Sequence, residues 1–154
     1  MPKYGVHFNS FVTSTATFSA VGLHANATGE LFELVEAVMT GSKAAAADRQ
    51  HEAFIVKCTY GAAGTGSVTT AVPLDDFSRA GQILATIEFS AEPTTVGTVF
   101  PTYFGFNQRG GMRWAVPRLE GIWMYNANAD KGVAFQCASD AAGSVSGHVQ
   151  WWEP

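Results

Sequence analysis

Gln82-Ile83-Leu84-Ala85-Thr86-Ile87-Glu88-Phe89 is the stretch whose reading decides the fold class. Ile83, Ala85, Ile87 and Phe89 fall on one face of an extended chain. Gln82, Thr86 and Glu88 fall on the other, with Leu84 the exception. A period of two suits a strand with one face on a core and one toward water. The same period recurs on both sides of it. Phe54, Val56, Cys58 and Tyr60 alternate with Ile55, Lys57 and Thr59, which predicts a strand with Cys58 inward. Val133, Phe135 and Cys137 alternate with Ala134, Gln136 and Ala138, which turns Cys137 inward too. Residues 11–20, 67–72, 98–106, 112–116, 121–125 and 146–152 are rich in β-branched or aromatic side chains and read as further strands.

The separators are turn chemistry. Gly61-Ala-Ala-Gly64-Thr-Gly66 and Arg109-Gly-Gly111 supply residues that accept positive φ. Residues 126–130 and 139–143 read as polar loops, and 42–49 as a loop or one helical turn. Pro73, Pro93 and Pro117 sit at the ends of runs, whereas Pro101 inside 98–106 predicts an edge strand or a bulge. Residues 30–40 carry two patterns. Leu31, Leu34, Val35, Val38 and Met39 follow helical spacing, with Gly41 as a stop; Phe32, Leu34 and Val38 share a strand face interrupted by Glu36. The all-β surroundings favour the strand. The count is nine or ten short strands with turn signals at the spacing of sandwiches and barrels, in one domain over residues 1–154. The fold class expected is all-β, a jelly-roll-type antiparallel β-sandwich.

The 154 residues are 47% hydrophobic, as in a globular domain, but only 14% charged, against roughly 25% in an average soluble domain. Either neutral polar residues fill the surface, or part of it is hidden against other subunits. The net charge of −4 argues against a nucleic-acid binder, which needs a positive field to displace counterions. No apolar run reaches the length of a transmembrane helix, and the N-terminal stretch has no apolar core of a secretion signal. Without secretion, Cys58 and Cys137 read as reduced, buried thiols, with a disulfide only if they prove adjacent. Asn26-Ala27-Thr28 matches the glycosylation pattern without a secretory context.

Catalytic signals are few. His7, His24, His51 and His148 are scattered along the chain, with no two at metal-ligand spacing. Asp75-Asp76 is the one adjacent acidic pair, in a loop that lacks the alternating ligands of a calcium site. The glycines of residues 61–66 lack the Lys-Ser/Thr of a phosphate loop. The expectation is a protein that is not an enzyme and holds no metal or cofactor. Two segments stand out as interface candidates. Arg109, Arg113 and Arg118 flank Trp114 in a hairpin, read either as an ordinary surface turn or as guanidinium forks for carboxylates of a neighbouring subunit. Trp151 and Trp152 are adjacent, so on a strand they face opposite sides, one in the core and one at a surface or subunit contact.

With those motifs in hand, the chain resembles a family: the small jelly-roll structural proteins of tailed-bacteriophage heads, the cement, decoration or minor capsid proteins. The likeness is carried by Gly41-Ser-Lys-Ala-Ala-Ala-Ala-Asp48, Gly64-Thr-Gly66, Val72-Pro-Leu-Asp75, Glu92-Pro-Thr94, Asn107-Gln-Arg109 with Met112-Arg-Trp-Ala115, Pro117 through Gly121, and Gly147-His148. These are structural motifs of moderate specificity spread over residues 30–154. The resemblance implies a strand at 30–40 and a homo-oligomer, often a trimer, seated on the major capsid protein at the virion surface after synthesis in the host cytoplasm. It assigns no capsid-contacting residue. A carbohydrate-binding or receptor-binding sandwich is the alternative, because exposed Trp and Tyr stack on sugar rings. A cupin-like metalloprotein would need histidines converging inside the barrel.

Overall fold

The computed structural model describes residues 2–25, 30–42, 48–59, 65–69, 71–75, 80–95, 102–125 and 131–154. The sequon at 26–28, the alanine run, the glycines of 61–64, Asp76, Pro101 and the polar loop 126–130 lie outside the described residues. The chain begins with four long strands: β1 (Lys3–Thr13), β2 (Phe18–Ala25), β3 (Leu31–Gly41) and β4 (Gln50–Thr59). Short β5 (Thr65–Thr69) and β6 (Val72–Pro73) precede β7 (Ile83–Ala91) and β8 (Thr94–Thr95). Next come β9 (Tyr103–Asn107), β10 (Gly111–Ala115) and β11 (Ile122–Tyr125). Last are β12 (Lys131–Ser139) and β13 (Gly143–Trp152). No helix occurs among the described residues.

Two antiparallel sheets face one another as a β-sandwich. The first runs β10–β3–β13–β1–β6, with β11 also on β3; the second runs β5–β7–β2–β12–β4–β8, with β9 also on β4. From β1 to β4 the chain alternates between the two sheets at each strand, and so do β12 and β13. Between the sheets lies one apolar core. Tyr4 stacks on the fully buried Trp151 at 6.0 Å, and Phe8 meets Phe135 of the opposite sheet edge-on at 6.2 Å. Each such large side chain removed from water contributes about 1.5–3 kcal/mol.

Residues 30–40 are a strand, and the structure explains their helical look. Gln150 pairs with Glu36 but Trp151 with Leu34, so Val35 is an extra residue in β3. The bulge moves the core face from Phe32 and Leu34 to Ala37 and Met39, and that phase slip imitates a longer period. The strand expected over 11–20 is a correction: residues 14–17 turn between β1 and β2, and β1 reaches back to Lys3.

Cys58 is also corrected in its facing. It is buried, but Ala53 and Ile55 point into the main core, so Cys58 lies on the opposite side with Val56 and Ala134 in a separate small cluster. Cys137 does point into the main core. The two free thiols thus occupy opposite faces of the second sheet, with no disulfide between them.

One buried charge fastens the sheets beyond the end of β13. Glu153 is 1% exposed. Its Oε1 accepts from Trp151 Nε1 at 2.9 Å and from Ile83 N at 3.1 Å, and its Oε2 accepts from Gln82 N at 2.7 Å. Its own N–H donates to Pro2 O. The carboxylate therefore closes the entry of β7 and anchors the Trp151 indole with full acceptor capacity. Glu153→Gln keeps the shape but turns one acceptor oxygen into a donor facing an N–H. It should cost about 2–3 kcal/mol in urea unfolding; a loss below about 0.5 kcal/mol would show that the clasp is dispensable.

Candidate interaction surface

The outer face of the first sheet carries three of the five interface candidates, Arg113, Arg118 and Trp152. Lys3 pairs with Trp152, Trp152 with Glu33, and Glu33 with Trp123, giving one cross-strand row over four strands. Trp152 faces outward because its neighbour Trp151 is buried in the core, so Trp151 is corrected out of the set of external contacts. The Lys3 ammonium lies 5.8 Å and the Arg118 guanidinium 5.6 Å from the Trp152 ring centroid. Cations over an indole gain about 0.5–1 kcal/mol at exposed sites.

The other two arginines have partners in their own chain. Arg113 Nε donates to Glu36 Oε1 at 2.8 Å, and Arg109 Nε pairs with Asp48 Oδ1 at 2.9 Å. Their side chains are about 70% exposed (69% and 71%), so each pair contributes little to stability. The hairpin between β9 and β10 is an ordinary turn, with Gly110 N–H donating to Asn107 O.

Beside them, the link between β10 and β11 is unusual. Glu120 N–H donates to Pro117 O, and Leu119 holds φ at 76° while exposing 69% of its surface. That is the third position of a type II turn, where glycine is the ordinary occupant. Left-handed backbone costs a leucine about 1–2 kcal/mol. Next along the chain, Gly121 N–H donates to Glu33 Oε1 at 2.8 Å, a contact that the lack of a side chain at Gly121 permits: a Cβ there would lie 2.3 Å from Leu34 O. Glu33 is fully buried although on an outer face, and its Oε2 has no hydrogen-bond partner among the described residues. Trp123 is 36% and Tyr125 64% exposed on the same side of β11. Periodicity could not find Glu33, since a carboxylate in a strand is ordinarily solvated.

A second polar cluster lies at the other end of the sandwich. His51 Nε2 meets Gln108 Oε1, and since that oxygen only accepts, Nε2 carries a hydrogen. Ser139 Oγ lies 2.8 Å from His51 Nδ1 and 2.8 Å from Thr13 Oγ1. Gln108 Nε2 donates to Ser144 O in the first sheet. A serine on an imidazole has the parts of a nucleophile and base. Here His51, Ser139, Thr13 and Gln108 are all buried, and the cluster ties the sheets through Thr13 to Ser139 and Gln108 to Ser144, with His51 joining Ser139 to Gln108. Sequence reasoning places His51 at a strand start with a structural role, but its partners come from β12 and the turn after β9.

Electrostatics elsewhere follow burial. Desolvation lowers the affinity of His24 for a proton, and its Nε2 lies 3.3 Å from Thr86 Oγ1. The Tyr103 phenol donates to Glu52 Oε1 at 2.6 Å, which raises its pKa. Burial, with a smaller contribution from Glu52, pushes the Cys137 thiol up to about 12.

No protein-family model matches the chain, and no curated protein matches it significantly. No helix of the described residues is long and apolar enough to cross a membrane.

Because the thiolate is the reactive form, neither cysteine should react in the native protein. With Ellman's reagent at pH 8, the folded chain should release no colour within minutes and the urea-unfolded chain two equivalents. Rapid release from the folded chain would contradict the burial of Cys58 and Cys137.

Proposed function

We propose that this chain is a structural protein of an assembly, a cement or decoration protein that oligomerises and bridges the major capsid protein of a bacteriophage head. The observation that carries the reading is apolar surface held out to water on one side of the first sheet. Leu119 sits in a strained turn with most of its side chain exposed, and further along the chain Trp123 and Tyr125 are exposed on one side of the edge strand β11. Strain retained at an exposed leucine is costly unless something covers it. Trp, Tyr and Arg are also the residues that dominate protein–protein contacts, and Arg118 and Trp152 adjoin the patch.

Two further features support the assignment. Only 14% of the residues are charged. The pairing order β1–β13–β3–β10 in one sheet, opposite β2–β12–β4–β9 in the other, is the order expected of a jelly roll. In this reading the protein has no catalytic step, binds no nucleic acid or membrane, and works at the virion surface, as a homotrimer by the likeness of its motifs.

A carbohydrate-binding module is the second reading, drawn from the same surface. Trp123 and Tyr125, two residues apart on one strand face, present two rings of the kind that stack on sugars.

Light scattering on the purified protein should give an oligomer mass, and Leu119→Asp with Tyr125→Asp should shift it to monomer with the thermal midpoint little changed. Wild-type protein should co-sediment with assembled heads, and the double variant at least tenfold less. A strict monomer that ignores heads would overturn the proposal. Glycan binding lost in Tyr125→Ala would put the second reading in its place.

A further inference from the structure

The sequence spacing separates the histidines, but the topology does not. β1 and β13 are antiparallel neighbours in the middle of the first sheet, and their register sets His7 directly opposite His148. Residues in that relation have Cβ atoms about 4.5–5.5 Å apart. Two imidazoles so placed can close on one ion at the ~2.0–2.1 Å of a metal–nitrogen bond. Both side chains border one open groove of about 270 Å³, together with Gly5, Leu74 and Gln150.

The chemistry of the two rings suits ligation. His7 is exposed and, among the described residues, has no hydrogen-bond or ion-pair partner. The His148 side chain is 37% exposed, and its Nε2 lies 3.9 Å from Glu36 Oε1. That carboxylate is held by Arg113, so it adds negative potential beside the pair without leaving its own partner. Leu74 lies over Gly5 and gives the groove an apolar wall (a Cβ on Gly5 would stand 3.5 Å from Leu74 Cδ1).

We propose that His7 and His148 form a binding site for a borderline divalent cation, zinc or copper, on the outer face of the first sheet. Imidazole nitrogens select such ions over magnesium and calcium, and copper binds more tightly than zinc. No group of three or more ligating side chains occurs among the described residues. Two protein ligands therefore leave coordination positions for water or for a side chain of a second molecule. The site does not depend on the assembly role proposed above.

Isothermal titration with CuCl2, ZnCl2, MgCl2 and CaCl2 tests it on the whole chain, with His24→Asn as the control on the other sheet. The expected result is one ion per chain for copper and zinc, copper the tighter, and none for magnesium or calcium. His7→Asn and His148→Asn should each weaken zinc at least tenfold, with circular dichroism unchanged, and His24→Asn should leave it as it was. Binding that survives either single substitution, falls equally in His24→Asn (an adventitious ion only), or is matched by magnesium would overturn the site.

Discussion

Beyond the end of β13, the Glu153 carboxylate accepts three hydrogen bonds where water does not reach, and the alignment of the two sheets follows from it. A carboxylate in such a place is costly unless its lone pairs are filled. Here the donors are Gln82 N, Ile83 N and the Trp151 indole, so the start of β7 must sit against the end of β13. At the start of β13, Ser144 O takes the Gln108 amide, which in turn holds His51. The sandwich is thus pinned by polar contacts at both ends of one strand, and between them the core is free to be apolar. Hydrophobic burial holds the sheets together but specifies no register; the two polar clasps do.

How much of this was legible in the sequence depended on whether the signal was local. The period of two in residues 82–89 and 133–137 is a property of neighbouring residues, and it identified strands correctly. In residues 30–40 the same period is broken by the bulge at Val35, which exists because β13 pairs there. The facing of Cys58 failed for a related reason. Phe54, Val56 and Cys58 are as apolar as any core row, but they lie on the outer side of their sheet, where Val56, Cys58 and Ala134 make their own cluster. Alternation identifies two faces and cannot say which is inside when both are buried.

The candidate surface shows the same division. That Trp151 and Trp152 must face opposite ways follows from strand geometry alone, and the structure decides which is which. The arginines of the hairpin were visible as a charge cluster, but their partners Asp48 and Glu36 come from distant segments. Glu33, buried on an outer face beside Gly121, and His7, opposite His148, gave no signal, because each depends on register between strands far apart in the chain. Leu119 was unremarkable as a residue type; only its backbone angle marks it.

The position of β13 also has a kinetic side. It lies between β1 and β3, yet residues 42–142 separate it from β3 and 14–142 from β1. Until residues 143–152 arrive, β1 and β3 present open edges that have no correct partner in each other. Closing such distant pairs is entropically slow, and an unfilled gap between two hydrophobic strands invites pairing with another molecule. The first sheet is then expected to form late and nearly all at once, when the central strand enters the gap and the Glu153 clasp shuts behind it.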